Sequence, residues 1–185
     1  GLFIDQRITR FMIRDLAAGK RFLNLFAYTG TATVYAAKGG AKSTTSVDAS
    51  KVYLGWAKRN LALNGFGYNQ HFFQHADCLN WLKGTKQRYD LIFLDPPTFS
   101  NSKKLKMTFD VQKDHVKLIR LVARLLEKDG VILFSNNYRK FKMDLEGLND
   151  FQLEDLSKAT LPPDFERKPK GHNCWKIKNL GNMAE

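Results

Sequence analysis

Residues 21–30 read Arg-Phe-Leu-Asn-Leu-Phe-Ala-Tyr-Thr-Gly, a short apolar run closed by a tight loop with a single glycine. A run this short, bounded by a turn signal, predicts a buried strand. Residues 31–37 then suit a short helix ahead of the Gly39-Gly40 break. Strand, tight loop and helix form the repeating unit of a doubly wound α/β sheet. Upstream, Ile4, Ile8, Phe11, Met12 and Leu16 recur at helical spacing and predict a helix over 4–18, stopped by Gly19. Downstream, residues 43–47 (STTSV) predict a second strand ending at Asp48. Ser50 is placed to cap a helix whose apolar face would carry Val52, Trp56 and Leu63.

The alternation continues with a third strand at Phe72-Phe73 before Asp77. A fourth covers residues 89–94 before Asp95, and a fifth covers 131–134 before Ser135. Val111, His115, Leu118, Val122 and Leu125 share a face of the helix between the last two, with Gly130 as its expected stop. Residues 165–170 and 174–178 are expected to pair as a terminal antiparallel hairpin across Gly171. Near-continuous apolar strands separated by helices imply a parallel sheet covered on both faces. The predicted fold is therefore α/β and doubly wound, with a mostly parallel seven-stranded sheet in a single domain spanning 1–185.

Composition narrows the function classes. The chain has 185 residues, 43% hydrophobic and 26% charged, as in ordinary globular domains rather than disordered or fibrous chains. Lys plus Arg number 30 against 18 Asp plus Glu, and the net charge of +12 favours a polyanionic partner. The two cysteines, Cys78 and Cys174, are too few for a disulfide scaffold and lack metal-site spacing, so a reducing, cytoplasmic setting is expected. The four histidines show no ligand spacing and no metal is predicted; Trp56, Trp81 and Trp175 read as packing residues. No segment approaches the roughly 20 apolar residues that cross a bilayer. The opening at Gly1 suggests a domain excised from a longer polypeptide.

The unusual residues fall at the carboxyl ends of the predicted strands, where open α/β sheets bind ligands. These are Phe26, Ala27, Tyr28, Thr29 and Gly30, then Asp48 with Ala49, Asp77 with Cys78, and Asp95-Pro96-Pro97. An acidic residue about 20 positions after a glycine loop can accept both ribose hydroxyls. Asp48 stands at that distance, and capping or turn roles are the alternative for Asp48 and Asp77. The loop AYTGTA lacks the GxGxxG pattern that admits a pyrophosphate, which favours a nucleoside cofactor without phosphate, S-adenosylmethionine. Asp77 and the backbone of Cys78 suit its adenine. Two prolines after a strand make a rigid turn with outward carbonyls, and Phe99 can stack a flipped base.

LNLFAYTG, VDAS, ADC and DPPTFS resemble the cofactor and target motifs of Rossmann-like S-adenosylmethionine-dependent methyltransferases. With GLFIDQR, STTSVDAS, LDPPTFSNSK, FDVQKDH, FSNN and HNCW, the chain is similar to the C-terminal half of the bifunctional methyltransferases of bacterial 23S ribosomal RNA. The resemblance implies formation of 7-methylguanosine, with the N-terminal half of the polypeptide as a further partner. It implies that Phe26 to Gly30 hold the methionine moiety, Asp48 the ribose, and Asp77 with Cys78 the adenine. Asp95, Pro96, Pro97 and Phe99 would border the methyl group and the target base. Asp5 and Arg7 would lie at the cofactor mouth, with Arg7 either meeting the methionine carboxylate or forming a surface ion pair with Asp5.

Guanine N7 has a lone pair and no proton to lose, so Asp95 is expected to organise the loop and the cofactor amino group rather than act as a base. The motifs also suit N6 of adenine or another nucleic-acid base, and an RNA-binding module that holds the cofactor without catalysis is the alternative of another class. Lys103, Lys104 and Lys106, with Arg139 and Lys140, are the expected phosphate contacts.

Overall fold

The structure is a computed structural model that describes residues 2–102, 107–165 and 171–180. A 3-10 turn at Ile4–Gln6 leads into α1 (Arg7–Leu16), followed by β1 (Arg21–Leu25), α2 (Thr31–Lys38), β2 (Ser43–Asp48), α3 (Lys51–Leu63) and β3 (His71–His75). Next come α4 (Cys78–Gly84), β4 (Tyr89–Leu94), β5 (Phe99–Ser102), β6 (Met107–Asp110) and α5 (Val111–Ala123). The chain ends with β7 (Leu126–Asn136), β8 (Phe151–Asp155), α6 (Ser157–Thr160) and β9 (Asn173–Asn179). The main sheet runs β3-β2-β1-β4-β7-β9-β8, parallel as far as β7 and antiparallel from there, while β5 and β6 form a separate hairpin.

Residues along each central strand alternate between two cores. Phe22, Leu91, Phe93, Val131 and Leu133 face Ile13 of α1, Ala17 just after it, and Ala32 and Ala36 of α2. Leu23, Leu25, Ile92, Leu94, Ile132 and Phe134 face Leu82 of α4 and Leu118 and Val122 of α5. Burial on both faces is why these strands read as unbroken apolar runs. The strand order reverses between β1 and β4, and that reversal opens a crevice beyond their carboxyl ends.

Four sequence expectations change. The buried face of α1 carries Thr9, Arg10 and Ile13, with Gln6 just before it, whereas Ile4 and Phe11 are exposed. Spacing found the helix, and Met12 and Leu16 of the expected stripe pack against the core, but Gln6, Thr9 and Arg10 share the inner side with Ile13. On α3 the buried residues are Leu54, Ala57 and Leu61; Val52, Trp56 and Leu63 are exposed, at 68%, 42% and 83%. Helix α5 ends at Ala123, and Gly130 lies inside β7, where the register against β4 shifts between Tyr89 and Leu91. The antiparallel ending is present, but β9 pairs with residues 151–155 rather than 165–170; Pro163–Phe165 is a 3-10 turn and 166–170 lie outside the described residues.

Candidate active site

The loop after β1 is backbone-strained. Phe26 and Tyr28 adopt left-handed φ of 57° and 51°, uncommon for bulky residues and characteristic of functional loops. Side chains hold the N–H groups of both strained residues. Asp48 Oδ2 accepts from the Tyr28 N–H at 2.8 Å, and Cys78 Sγ accepts from the Phe26 N–H at 3.3 Å. Gly30 follows with φ 70°, and a Cβ there would meet the Ala57 Cβ at 2.5 Å, so both conformation and the approach of α3 require glycine.

This loop forms one wall of a cavity of about 340 Å³, within the range of small-molecule sites. Phe26, Ala27 and Tyr28 line it from β1, Asp48 and Tyr53 from β2 and α3, and Asp95, Pro96 and Pro97 from β4. Phe3, Asp5, Gln6 and Arg10 close it from the amino-terminal turn and α1, and Asn137 follows β7. Phe3, Tyr28 and Tyr53 form an aromatic ladder at the mouth, with ring centroids 5.5 Å and 4.5 Å apart. Burial, then the charge of Asp5, push the Asp95 carboxyl up to about 7, against a hydrogen bond to Ser135 that lowers it.

Other predicted residues lie outside the lining. Thr29 and Gly30 are set behind it; the Thr29 carbonyl accepts from Asn60 Nδ2 at 2.8 Å. The Ala49 carbonyl meets His75 Nε2 at 3.1 Å. Asp77 caps α4, with Oδ1 accepting from the Asn80 N–H at 3.0 Å, and Cys78 is buried below the loop. Arg7 pairs with Asp164 through Nη1 and Nη2 instead of with Asp5. Phe99 is 55% exposed at the start of the β5–β6 hairpin. Arg139 and Lys140 are exposed just past Asn137, while Lys103, Lys104 and Lys106 lie outside the described residues.

Sequence reading missed Gln6, Arg10, Tyr53 and Asn137. The available signal for the first two was their i, i+4 spacing, which puts both on one face with Ile13. His115 is a satisfied core residue: Nδ1 meets the Val111 and Gln112 carbonyls and Nε2 accepts from the Asp144 N–H at 3.1 Å. Trp56, expected to pack, is exposed. Among the described residues no group of three or more His, Cys, Asp or Glu side chains is arranged to hold a metal ion, and no helix is long and apolar enough to cross a membrane.

Residues 1–163 match the family model described as S-adenosylmethionine-dependent methyltransferase. The chain belongs to that family. The methyltransferase is 58% identical over 177 residues to the ribosomal RNA large subunit methyltransferase K/L of Syntrophotalea carbinolica, and 59% identical over 179 residues to that of Vibrio cholerae. Each match covers 96% of this chain and 25% of the relative, so the chain spans about a quarter of the length of these curated relatives. Among solved structures it resembles a proposed methyltransferase complexed with SAH, with a TM-score of 0.81 and 30% identity, covering 96% of this chain and 50% of the other. A Streptococcus mutans protein described as a proposed SAM-dependent methyltransferase gives a TM-score of 0.80 at 29% identity, covering 96% and 49%.

The family's cofactor is S-adenosylmethionine, and the cavity fits it. The strained loop and Asp48 share its lining. Carboxylates and one buried guanidinium share the lining, as a sulfonium-bearing zwitterion demands.

Proposed function

We propose that the methyltransferase alkylates guanine N7 of 23S ribosomal RNA in the bacterial cytoplasm, acting as one part of a longer polypeptide. The observation that carries this reading is that Asp95-Pro96-Pro97 and Asn137 border the same cavity as Asp48 and the loop after β1. Cofactor and target wall therefore meet at the β1–β4 crevice. The relatives' description as ribosomal RNA large subunit methyltransferases, and the net charge of +12, support an RNA substrate.

The bound cofactor supplies an electrophilic methyl group on a sulfonium; transfer breaks the carbon–sulfur bond, leaves a thioether, and forms a carbon–nitrogen bond with the N7 lone pair. No proton is lost, so positioning supplies most of the catalysis. Asp95 and Asp48 orient the cofactor, Phe99 stacks the extruded base at the rim, and Arg139 and Lys140 hold the backbone. Thr98 Oγ1 donates to Asn137 Oδ1 at 2.8 Å, which leaves the Nδ2 donor for the ligand. A donor there suits O6 of guanine, beside N7, and opposes the N6 amine of adenine.

Transcripts containing 7-deazaguanosine test the assignment. They should accept no methyl group while remaining bound; methylation of such transcripts would show that another atom is the acceptor.

A further inference from the structure

Helix α3 turns a stripe of large side chains to solvent. Val52, Trp56, Arg59 and Leu63 follow at i, i+4, i+7 and i+11, which aligns them on one face opposite the buried Leu54, Ala57 and Leu61. All four are exposed. A single exposed apolar residue is ordinary, whereas an aligned stripe marks an interaction surface.

The charge around the stripe has one sign. Residues 49–76 contain no Asp or Glu, although the whole chain carries 18. Lys51, Lys58 and Arg59 lie in that stretch, and among the described residues no salt bridge engages any of them. Lys58 Nζ sits 5.5 Å from the centroid of the Phe73 ring, which holds one cation beside the helix. Tyr68, in the loop after α3, is exposed, and its hydroxyl donates to the Lys58 carbonyl at 3.4 Å. Cations and exposed aromatic rings are therefore interleaved across one surface.

A second protein helix would fit the spacing of the stripe, but the arginine within it and the lysines beside it have no acid nearby. The occupant must be anionic and must offer flat apolar faces to Trp56 and Tyr68. Single-stranded RNA has both properties. The surface is also continuous with the cavity: Tyr53, on the same helix, lines it and meets the Tyr28 ring edge-on at 4.5 Å. In the sheet order β3-β2-β1-β4-β7, α3 follows β2, while Phe99 follows β4 and Arg139 and Lys140 follow β7. The two surfaces flank the crevice from opposite sides.

We infer that the outer face of α3 is a second RNA track, in which Trp56 stacks an unpaired base flanking the target and Lys51, Lys58 and Arg59 hold phosphates. The inference rests on the RNA-substrate reading of the cavity and adds a surface on its other rim.

Fluorescence anisotropy on this chain, with labelled oligouridylate across a salt series, tests it. Trp56→Ala should weaken binding by about 5- to 100-fold, the worth of one stacked base, and Trp56→Phe should keep most of the affinity. Lys51→Gln with Arg59→Gln should lower the slope of log affinity against log salt by about 1.4, from about 0.7 per phosphate contact on a single strand. Each variant should bind S-adenosylhomocysteine as the wild type does. Unchanged RNA affinity and slope in these folded variants would overturn the inference. So would self-association of the chain that Trp56→Ala abolishes while RNA affinity stays unchanged, which would give the face to a second copy. Crosslinking with RNA containing 4-thiouridine needs no variant: adducts should appear within residues 51–59, and adducts confined to residues 99–102 and 139–140 would contradict the second track. A wild type that binds deproteinised 23S ribosomal RNA but not oligouridylate would also overturn it. A wild type that binds neither would instead overturn the RNA reading beneath it.

Discussion

Asp48 accepts the backbone N–H of Tyr28 at 2.8 Å through one oxygen and that of Ser50 at 2.8 Å through the other. A single carboxylate thus ties the strained loop after β1 to the end of β2 while facing the cavity. Asp48→Ala should weaken S-adenosylhomocysteine by about 1–3 kcal/mol and also lower Tm, because the left-handed Tyr28 loses its anchor. Calorimetry combined with thermal melting checks this. Unchanged affinity would remove Asp48 from the cofactor site.

Gly30→Ala should destabilise the fold strongly. Alanine in the left-handed region costs roughly 1–2 kcal/mol, and forcing its Cβ against Ala57 adds about 1–3 kcal/mol. Ala57→Gly in the same chain should recover the packing part and leave the conformational part, a split that denaturant titration can measure.

Asp95 predicts a pH dependence with a definite sign. Its folded pKa, about 7, lies above the ordinary carboxylate value, so between the two the folded state binds the extra proton. Stability from this group is therefore greatest at low pH and falls as pH rises towards 7. The Tm advantage of Asp95→Asn over wild type should grow from pH 4 to pH 8 in the absence of ligand. Cofactor affinity should move oppositely, strengthening through pH 7 as the carboxylate ionises to meet a cation, and that rise should vanish in Asp95→Asn.

The thiols are expected to be spectators. Both are buried, and burial pushes Cys174 up to about 12 and raises Cys78 further, which is opposite to an activated nucleophile. Cys78→Ala with Cys174→Ala should retain methyl transfer, although loss of the Sγ contact to Phe26 will loosen the loop. Phe99→Ala should bind cofactor normally and lose most transfer to RNA. A folded, cofactor-binding cysteine-free protein without product would contradict direct displacement.

The central sheet was legible because strands buried on both faces, such as residues 89–94, must be apolar throughout. Asp48 and Asp95 were legible as cavity residues for a related reason, since a charge directly after such a run marks where the sheet meets solvent, whereas Asp77 caps α4 instead. What failed was the orientation of helices bordering the site. Gln6 and Arg10 are buried in the cavity wall, Gln6 against Ser135 of β7, so α1 turns these polar residues inward beside Ile13, and the apolar stripe of Met12 and Leu16 marks only part of its buried side. The site residues on α1 became visible only with the cavity. The link between FSNN and HNCW was also hidden, because it is tertiary: Asn173 Nδ2 donates to Asn136 Oδ1 at 3.1 Å and to the Tyr138 carbonyl at 3.0 Å, fixing the turn that carries Asn137.

The most direct test of guanine N7 methylation is nucleoside mass spectrometry of deproteinised 23S ribosomal RNA after incubation with this chain and methyl-labelled S-adenosylmethionine. The label should appear in 7-methylguanosine and disappear when Phe99 is replaced by alanine. Label in N6-methyladenosine or 5-methylcytidine, or no labelled nucleoside from folded protein shown to bind the cofactor, would contradict the account.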